Sequence, residues 1–290
     1  MQRKFVIVTD SGCDMSEEYL SQHGVETVHL GFLMDNVLYS GEDGEKIDTK
    51  VFYEKVRKGA MPTTHQVNVE CAKEHVEKYL KEGKDVLVIA FSGALSGTAN
   101  SFKVAAKELS EKYPTQKVLV SDSLCASMGQ GLYLDYALKK ADTGAELEET
   151  YDYIEGIKQN ICHLFTVDNL FHLKRGGRVS AVTAIVGTLL SIKPVMHVSP
   201  EGKLVPISKA MGRKKSIKSL LDKMKELAIL EKGEPIFISH GDCIEDATAL
   251  AEMIKTIYPQ NPVTINYVGP VIGSHSGPGT LALFFRGKQR

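Results

Sequence analysis

The chain has 290 residues, of which 43% are apolar, and a formal net charge of −1. That is enough apolar residue for one large or two ordinary cores, and the near-neutral balance gives no overall field directed at nucleic acid. No apolar run approaches the ~18 residues of a membrane span, and Met1-Gln2-Arg3-Lys4 runs straight into a strand-like segment without a signal peptide's apolar stretch.

Phe5-Val6-Ile7-Val8 reads as a buried strand that ends in the polar loop Thr9-Asp10-Ser11-Gly12. Ser16 suits a helix N-cap for Glu17 to Gln22. Val25 to Met34 is strand-like, and Asp35-Asn36 marks a turn into Val37-Leu38-Tyr39. Asp48 caps a helix to Lys58 with Gly59 behind it. Asn68 caps another, with Val69, Ala72, Val76, Tyr79 and Leu80 on one face. Val86 to Phe91 is a second apolar strand, Thr98 to Lys112 a helix, Val118 to Val120 a third strand, and Ser127 to Lys140 a helix again. Strands alternating with helices imply βαβ units and a parallel sheet.

Thr143-Gly144 interrupts two helical stretches, and Glu146 to Asn160 closes the first half. Beyond it, strand-like runs crowd together: Leu164 to Val167, Val195 to Val198, Leu204 to Ser208, Pro235 to Ser239, Val263 to Val268 and Thr280 to Phe285. Helices over Ser216 to Leu227 and Ile244 to Ile257 separate them. The expected fold class is therefore α/β. A Rossmann-like parallel-sheet domain spans residues 1–160, and an α+β domain with a mixed or antiparallel sheet spans residues 161–290.

Four segments stand out chemically. Pro62-Thr63-Thr64-His65-Gln66 places two hydroxyls and an imidazole in a loop between two helices; a capped turn would look the same. Phe91-Ser92-Gly93-Ala94-Leu95-Ser96-Gly97-Thr98 follows a buried strand and precedes a helix. Backbone N–H groups and hydroxyls there suit an anion at the carboxyl end of a parallel strand, though an ordinary βα loop also fits. Asp10-Ser11 and Asp122-Ser123 end the neighbouring strands and belong on the same rim.

Ile272 to Thr280 sets His275 among glycines, either a Gly-rich turn or a close approach to a ligand. Leu173-Lys174-Arg175-Gly176-Gly177-Arg178 carries three cations around a Gly pair. Lys209, Arg213, Lys214, Lys215 and Lys218 form a second basic cluster at a helix start, where the dipole does not favour them. Both clusters suit an anion, an acidic partner or a solvated face. Val182 to Ile192 is apolar, and reads as core or, second to that, as the wall of a ligand tunnel.

There is no G-x-S-x-G elbow, P-loop, G-x-G-x-x-G after the first strand, or H-E-x-x-H. No His, Cys and carboxylate spacing suggests a metal, so neither metal nor cofactor is expected. The five cysteines (Cys13, Cys71, Cys125, Cys162 and Cys243) form no C-x-x-C pair, which suits a reducing, cytoplasmic setting.

The order of these segments resembles the DegV family from end to end. The match runs through Thr9-Asp10-Ser11, Pro62-Thr63-Thr64, Ser92 to Thr98, Asp122-Ser123 with Ser127 to Gly131, Arg175 to Arg178, and Gly273 to Gly279. The resemblance implies a bacterial, non-catalytic protein that buries a long-chain fatty acid such as palmitate between two domains. It also implies that the acid is presented to a separate fatty acid kinase, which makes acyl-phosphate for phospholipid synthesis. By the family pattern Thr64 and Ser96 hold the carboxylate with His275 nearby, and Thr63, His65 and Gly97 flank it. His65 stands where the family usually has Ser, which leaves the head-group geometry open. With hydroxyls holding the carboxylate, Arg175, Arg178 and Arg213 are expected to be free to meet the kinase, with a structural role within the second domain as the alternative for Arg178. Two alternatives remain: an acyl hydrolase or transferase using Ser96 with His275, and a binding protein for another small anion. No nucleic acid and no stable membrane insertion are expected.

Overall fold

The computed structural model describes residues 3–40, 44–179 and 191–290. Three sheets organise them.

The first sheet is parallel, with β1 (Phe5–Asp10), β2 (Glu26–Val28), β6 (Asp85–Ala90) and β7 (Val118–Asp122) in the order β2-β1-β6-β7. β1 and β6 are nearly all apolar because helices cover both faces of a parallel sheet. On one side lie α3 (Val69–Lys81) and α4 (Thr98–Lys112), which with the sheet bury Val8, Val86, Val88, Ala72, Val76 and Phe102. On the other lies α5 (Met128–Asp142), buried nearly all round because it also packs on the second sheet. Local chemistry sets the helix starts: Ser16 caps α1 (Glu17–Gln22), Asp48 caps α2 (Thr49–Arg57) and Asn68 caps α3, each through its side-chain oxygen. α6 (Leu147–Ile157) begins in a capping box between Glu146 and Glu149.

The second sheet is mixed, in the order β10-β9-β8-β13-β11-β12. Its strands are β8 (Ile161–Thr166), β9 (Ile192–Val198), β10 (Leu204–Met211), β11 (Ile236–His240), β12 (Val263–Tyr267) and β13 (Leu281–Arg286). Alternation along the strands divides its faces. Cys162, Leu164, Leu281, Leu283, Phe285, Ile236 and Ile238 pack under α8 (Arg213–Leu227) and α9 (Ile244–Ile257). Phe165, Met196, Phe237, Ala282 and Phe284 turn to the other face, toward α5. The strands of the parallel sheet all lie within residues 5–122 and those of the mixed sheet within 161–286.

The third sheet was not anticipated. The expected single strand over Val25 to Met34 is two, β2 and β3 (Gly31–Met34), and they belong to different sheets. β3 forms a hairpin with β4 (Val37–Ser40) through Asp35 and Asn36, both at positive φ. The expected loop Pro62 to Gln66 is instead strand β5 (Thr63–His65), antiparallel to β3. Periodicity cannot show a three-residue strand whose partner is thirty residues away. The expected Gly-rich turn around His275 is largely helix α10 (Pro270–Ser276), with Pro270 at its start and Gly277 at positive φ behind it. The apolar stretch Val182 to Ile192 falls outside the described residues except for Ser191 and Ile192, the latter opening β9. Among the described residues, no helix is long and apolar enough to cross a membrane.

Candidate functional site

A cavity of about 520 Å³ lies between the carboxyl ends of the parallel strands and the inner face of the mixed sheet. The loops after β1, β6 and β7 bring Gly12, Phe91, Leu95, Ser96, Ala126 and Ser127 to it. The mixed sheet contributes His163, Phe165, Val198, Ser239, Ala282 and Phe284. β5 and α10 close one end with Thr64, His65 and His275. Apolar side chains form most of the wall, and the polar ones gather in a few places.

The rim is braced by carboxylates. Asp10 accepts from Gly12 N–H at 2.9 Å and Phe91 N–H at 2.7 Å, tying the end of β1 to the end of β6. Burial pushes its carboxyl up to about 6, against these hydrogen bonds. Asp122 does the same for the loop after β6, accepting from Gly93 N–H at 3.0 Å. Ser123 Oγ donates to Ala90 O at 2.7 Å. The loop carrying Ser96 is thus held from both flanking strands.

Ser96 Oγ accepts from Thr98 N–H at 3.3 Å and contacts Thr98 Oγ1 at 3.0 Å. Val67 N–H donates to Thr98 Oγ1 at 3.3 Å. If the Thr98 hydroxyl in turn donates to Ser96, both lone pairs of Ser96 are occupied and its own proton is left to give. Gly97 follows at the start of α4, where a Cβ would stand 2.1 Å from Gln66 Oε1 and would have to displace that side chain.

Thr64 has the same logic. Its Oγ1 lies 2.8 Å from His275 Nε2. The imidazole's other nitrogen, Nδ1, is buried without a partner. An orphaned buried N–H is costlier than an orphaned lone pair, so the proton belongs on Nε2 and Thr64 accepts it. The Thr64 hydroxyl is then free to donate. Burial, with Arg178 and Arg175 adding to it, pushes His275 down to about 4, so the ring is neutral near neutral pH.

The arginines are placed differently from expectation. Arg175, at the end of α7 (Phe171–Arg175), donates from Nη2 to Pro62 O at 3.1 Å and Ser274 O at 3.0 Å. It thereby clamps the β5 segment to α10. Arg178 lines the cavity and donates to Leu95 O at 3.1 Å and Gly176 O at 2.6 Å. Arg213 binds Asp246 at 2.8 Å and lies 3.7 Å from Asp168. None is a spare cation, and Arg178 brings positive charge to the very cavity from which sequence reasoning had set it apart. Gly176 sits against His275: a Cβ there would be 2.2 Å from Nδ1.

Thr64, Ser96, His275, His65 and Arg178 meet at the cavity, with Gly97 beside Ser96. Thr63 is exposed on the outer face of β5, and Arg213 stands apart beside α9. Ser96 and His275 do not bond each other, since His275 pairs with Thr64; the hydrolase arrangement is not formed. Ser127, His163 and Ser239 also reach the wall. Ser127 opens the Ser127 to Gly131 segment of the family pattern, whereas nothing in the local sequence marks His163 or Ser239, each set in a largely apolar strand.

A family model described as "Uncharacterised protein, DegV family" matches residues 4–288. A DegV domain-containing protein of Clostridium perfringens is 45% identical over 285 residues, covering 98% of each chain. A DegV family protein from Thermus thermophilus, solved in a study of its fatty acid binding, is 31% identical with a TM-score of 0.87 over 98% of this chain and 99% of its own. DegV from Bacillus subtilis, a fatty acid binding protein, is 29% identical with a TM-score of 0.84 over 99% and 100%.

Proposed function

The chain belongs to the DegV family, and on that premise we propose that it binds a long-chain fatty acid, such as palmitate, in the cavity between its two sheets. The observation that carries the reading is the state of two hydroxyls at one end of an apolar cavity. Ser96 Oγ lies against Thr98 and Thr64 Oγ1 against His275 Nε2, and with those partners donating, both hydroxyls keep their own protons to give. A buried carboxylate needs such donors, because an unpaired buried charge is costly. Hydrogen bonds to a charged group are worth roughly twice neutral ones. The guanidinium of Arg178, fixed at the same wall, offsets the negative charge without needing direct contact. The remaining wall receives the chain: at ~0.8 kcal/mol per methylene, about ten buried methylenes contribute ~8 kcal/mol before the cost of association.

Residues 1–160 and 161–290 act in this reading as two halves closing over the ligand. The role is binding rather than catalysis, in a reducing compartment that keeps cysteine thiols reduced. The carboxylate end abuts the surface at Thr63, His65 and Gln66, all exposed. That is where a separate kinase would reach the acid to make acyl-phosphate. With Arg175, Arg178 and Arg213 committed within the chain, the exposed Lys209, Lys214, Lys215 and Lys218 are the cations best placed to meet an acidic face of that kinase.

The test is a titration of delipidated protein with palmitate and with hexadecanol, the same chain without a carboxylate. Palmitate should bind at least about tenfold tighter. Equal affinity for both would show that the hydroxyl end is no carboxylate site.

A further inference from the structure

Apart from Thr64 and Ser96, the cavity wall carries a polar cluster that binding of a plain fatty acid does not need. Ser127 Oγ donates to Asp14 Oδ2 at 2.5 Å and meets Ser239 Oγ at 2.9 Å. Ser127 and Ser239 both line the cavity and are buried, as is Asp14 behind them. Gly269 N–H also hydrogen-bonds the Asp14 carboxyl. The cluster joins the loop after β1, the start of α5, the inner face of β11 and the loop before α10. On β11, Ser239 is registered with Ala282 of β13, which is registered with Phe165 of β8, so it stands within the apolar wall.

This arrangement is unfavourable on two counts. A buried carboxylate gives up its hydration, and the charged group that acts on Asp14 is another acid, Asp10, rather than a cation. Ser127 is held at φ 54 and ψ −148, a conformation that residues other than glycine rarely adopt. A strained backbone on a cavity wall, with a buried acid behind it that no cation offsets, is characteristic of ligand contacts rather than of packing.

With Asp14 ionised, the hydrogen-bond directions of the cluster follow. Ser127 has one proton, and an ionised Asp14 takes it. The contact between the serines must then be Ser239 donating to Ser127. Every proton points toward Asp14, and the wall is left offering lone pairs on both serine oxygens and no donor.

We propose that the Asp14–Ser127–Ser239 relay is a second polar subsite of the cavity, one that accepts a hydrogen bond from a hydroxyl on the acyl chain, so that hydroxylated long-chain fatty acids are among the ligands. The proposal rests on the reading of the cavity as an acyl-chain site. It selects a hydroxyl over a carbonyl at the same carbon, because an oxo group is itself only an acceptor.

The experiment titrates delipidated protein with stearic acid, with positional isomers of hydroxystearic acid, and with the matching oxo acids. It is run at about pH 8.5, where Asp14, pushed up to about 7 by burial, is ionised. A narrow run of hydroxyl positions should bind about tenfold tighter than stearic acid, and the corresponding oxo acids more weakly than it. The ratio of hydroxy to parent affinity should fall toward one in Ser127→Gly, which tolerates the positive φ, and in Ser239→Ala. The proposal is overturned if no hydroxy isomer outbinds stearic acid, or if the ratio persists in both variants. Failure of stearic acid itself to bind would overturn the acyl-chain reading beneath it.

Discussion

The parallel-sheet side of the cavity meets its contents with loop ends, whereas the mixed-sheet side meets them with strand faces. On the first side, glycines, hydroxyls and capped helix starts are arranged by backbone hydrogen bonds, and Asp10 and Asp122 hold the loops in place. On the second, alternation alone decides which residues look inward, so that His163, Phe165, Ala282 and Phe284 line the cavity while their neighbours pack under α8 and α9. Loop ends supply specificity at fixed points. Strand faces supply shape and apolar area. The two sides should therefore fail differently when perturbed.

The largest effect is expected on the strand side. Ala282 lies between Phe165 and Ser239 in register, and Ala282→Phe should fill space meant for several methylenes. Losing three or four of them, at ~0.8 kcal/mol each, weakens fatty-acid affinity about 100-fold. Titration of the folded variant checks this; unchanged affinity would mean that the chain does not run past β13.

On the loop side, Ser96→Ala and Thr64→Ala each remove one donor from a desolvated charge. At ~1–3 kcal/mol, the loss should be roughly 5- to 150-fold for palmitate and small for hexadecanol. That contrast separates the two sides: Ala282→Phe should weaken both ligands alike. A loop variant that weakened the alcohol as much as the acid would erase the distinction.

Much of this division was legible beforehand, and for a physical reason. Helices announce themselves locally: α1 starts at its Ser16 cap, and α1, α4 and α9 span the residues that the sequence predicts. The loop-end motifs around Ser96 and Thr64 were legible too, because backbone geometry demands particular residue types there. The strand β5 and the helix α10 were not, since tertiary pairing with β3 and packing against α2 and α7 decide them. The arginines misled because a basic run reads as surface, while their carbonyl partners Pro62, Leu95 and Ser274 lie about 80 to 110 residues away in sequence. The wall itself gave no sign, because a residue facing a cavity and one facing a core are the same residue in a strand.

A subtler effect concerns the clamp between the sides. Gly176→Ala drives a Cβ to within 2.2 Å of His275 Nδ1 and should turn the ring from Thr64. Affinity for palmitate should fall several-fold, with helix content by circular dichroism unchanged. Retained affinity would show that His275 does not set the Thr64 proton.

The smallest effect lies at the junction of the two sides. Burial holds the Asp14 carboxyl at about 7, well above its ordinary 3.8. A raised carboxylate contributes stability below its unfolded value and loses it as pH rises through the folded one. The melting temperature of wild type should therefore drop by a few degrees relative to Asp14→Asn between about pH 5 and pH 8. A gap that stays constant over that range would place Asp14 in a solvated setting.

The central claim is that the cavity holds a fatty acid, and it is tested most directly by mass spectrometry of what the purified protein carries from its expression host. Denatured wild-type protein should release a long-chain fatty acid in near one-to-one amount, and Ala282→Phe prepared in parallel should release far less. Protein that carries no acyl species, or an equal load in the blocked variant, would contradict the account.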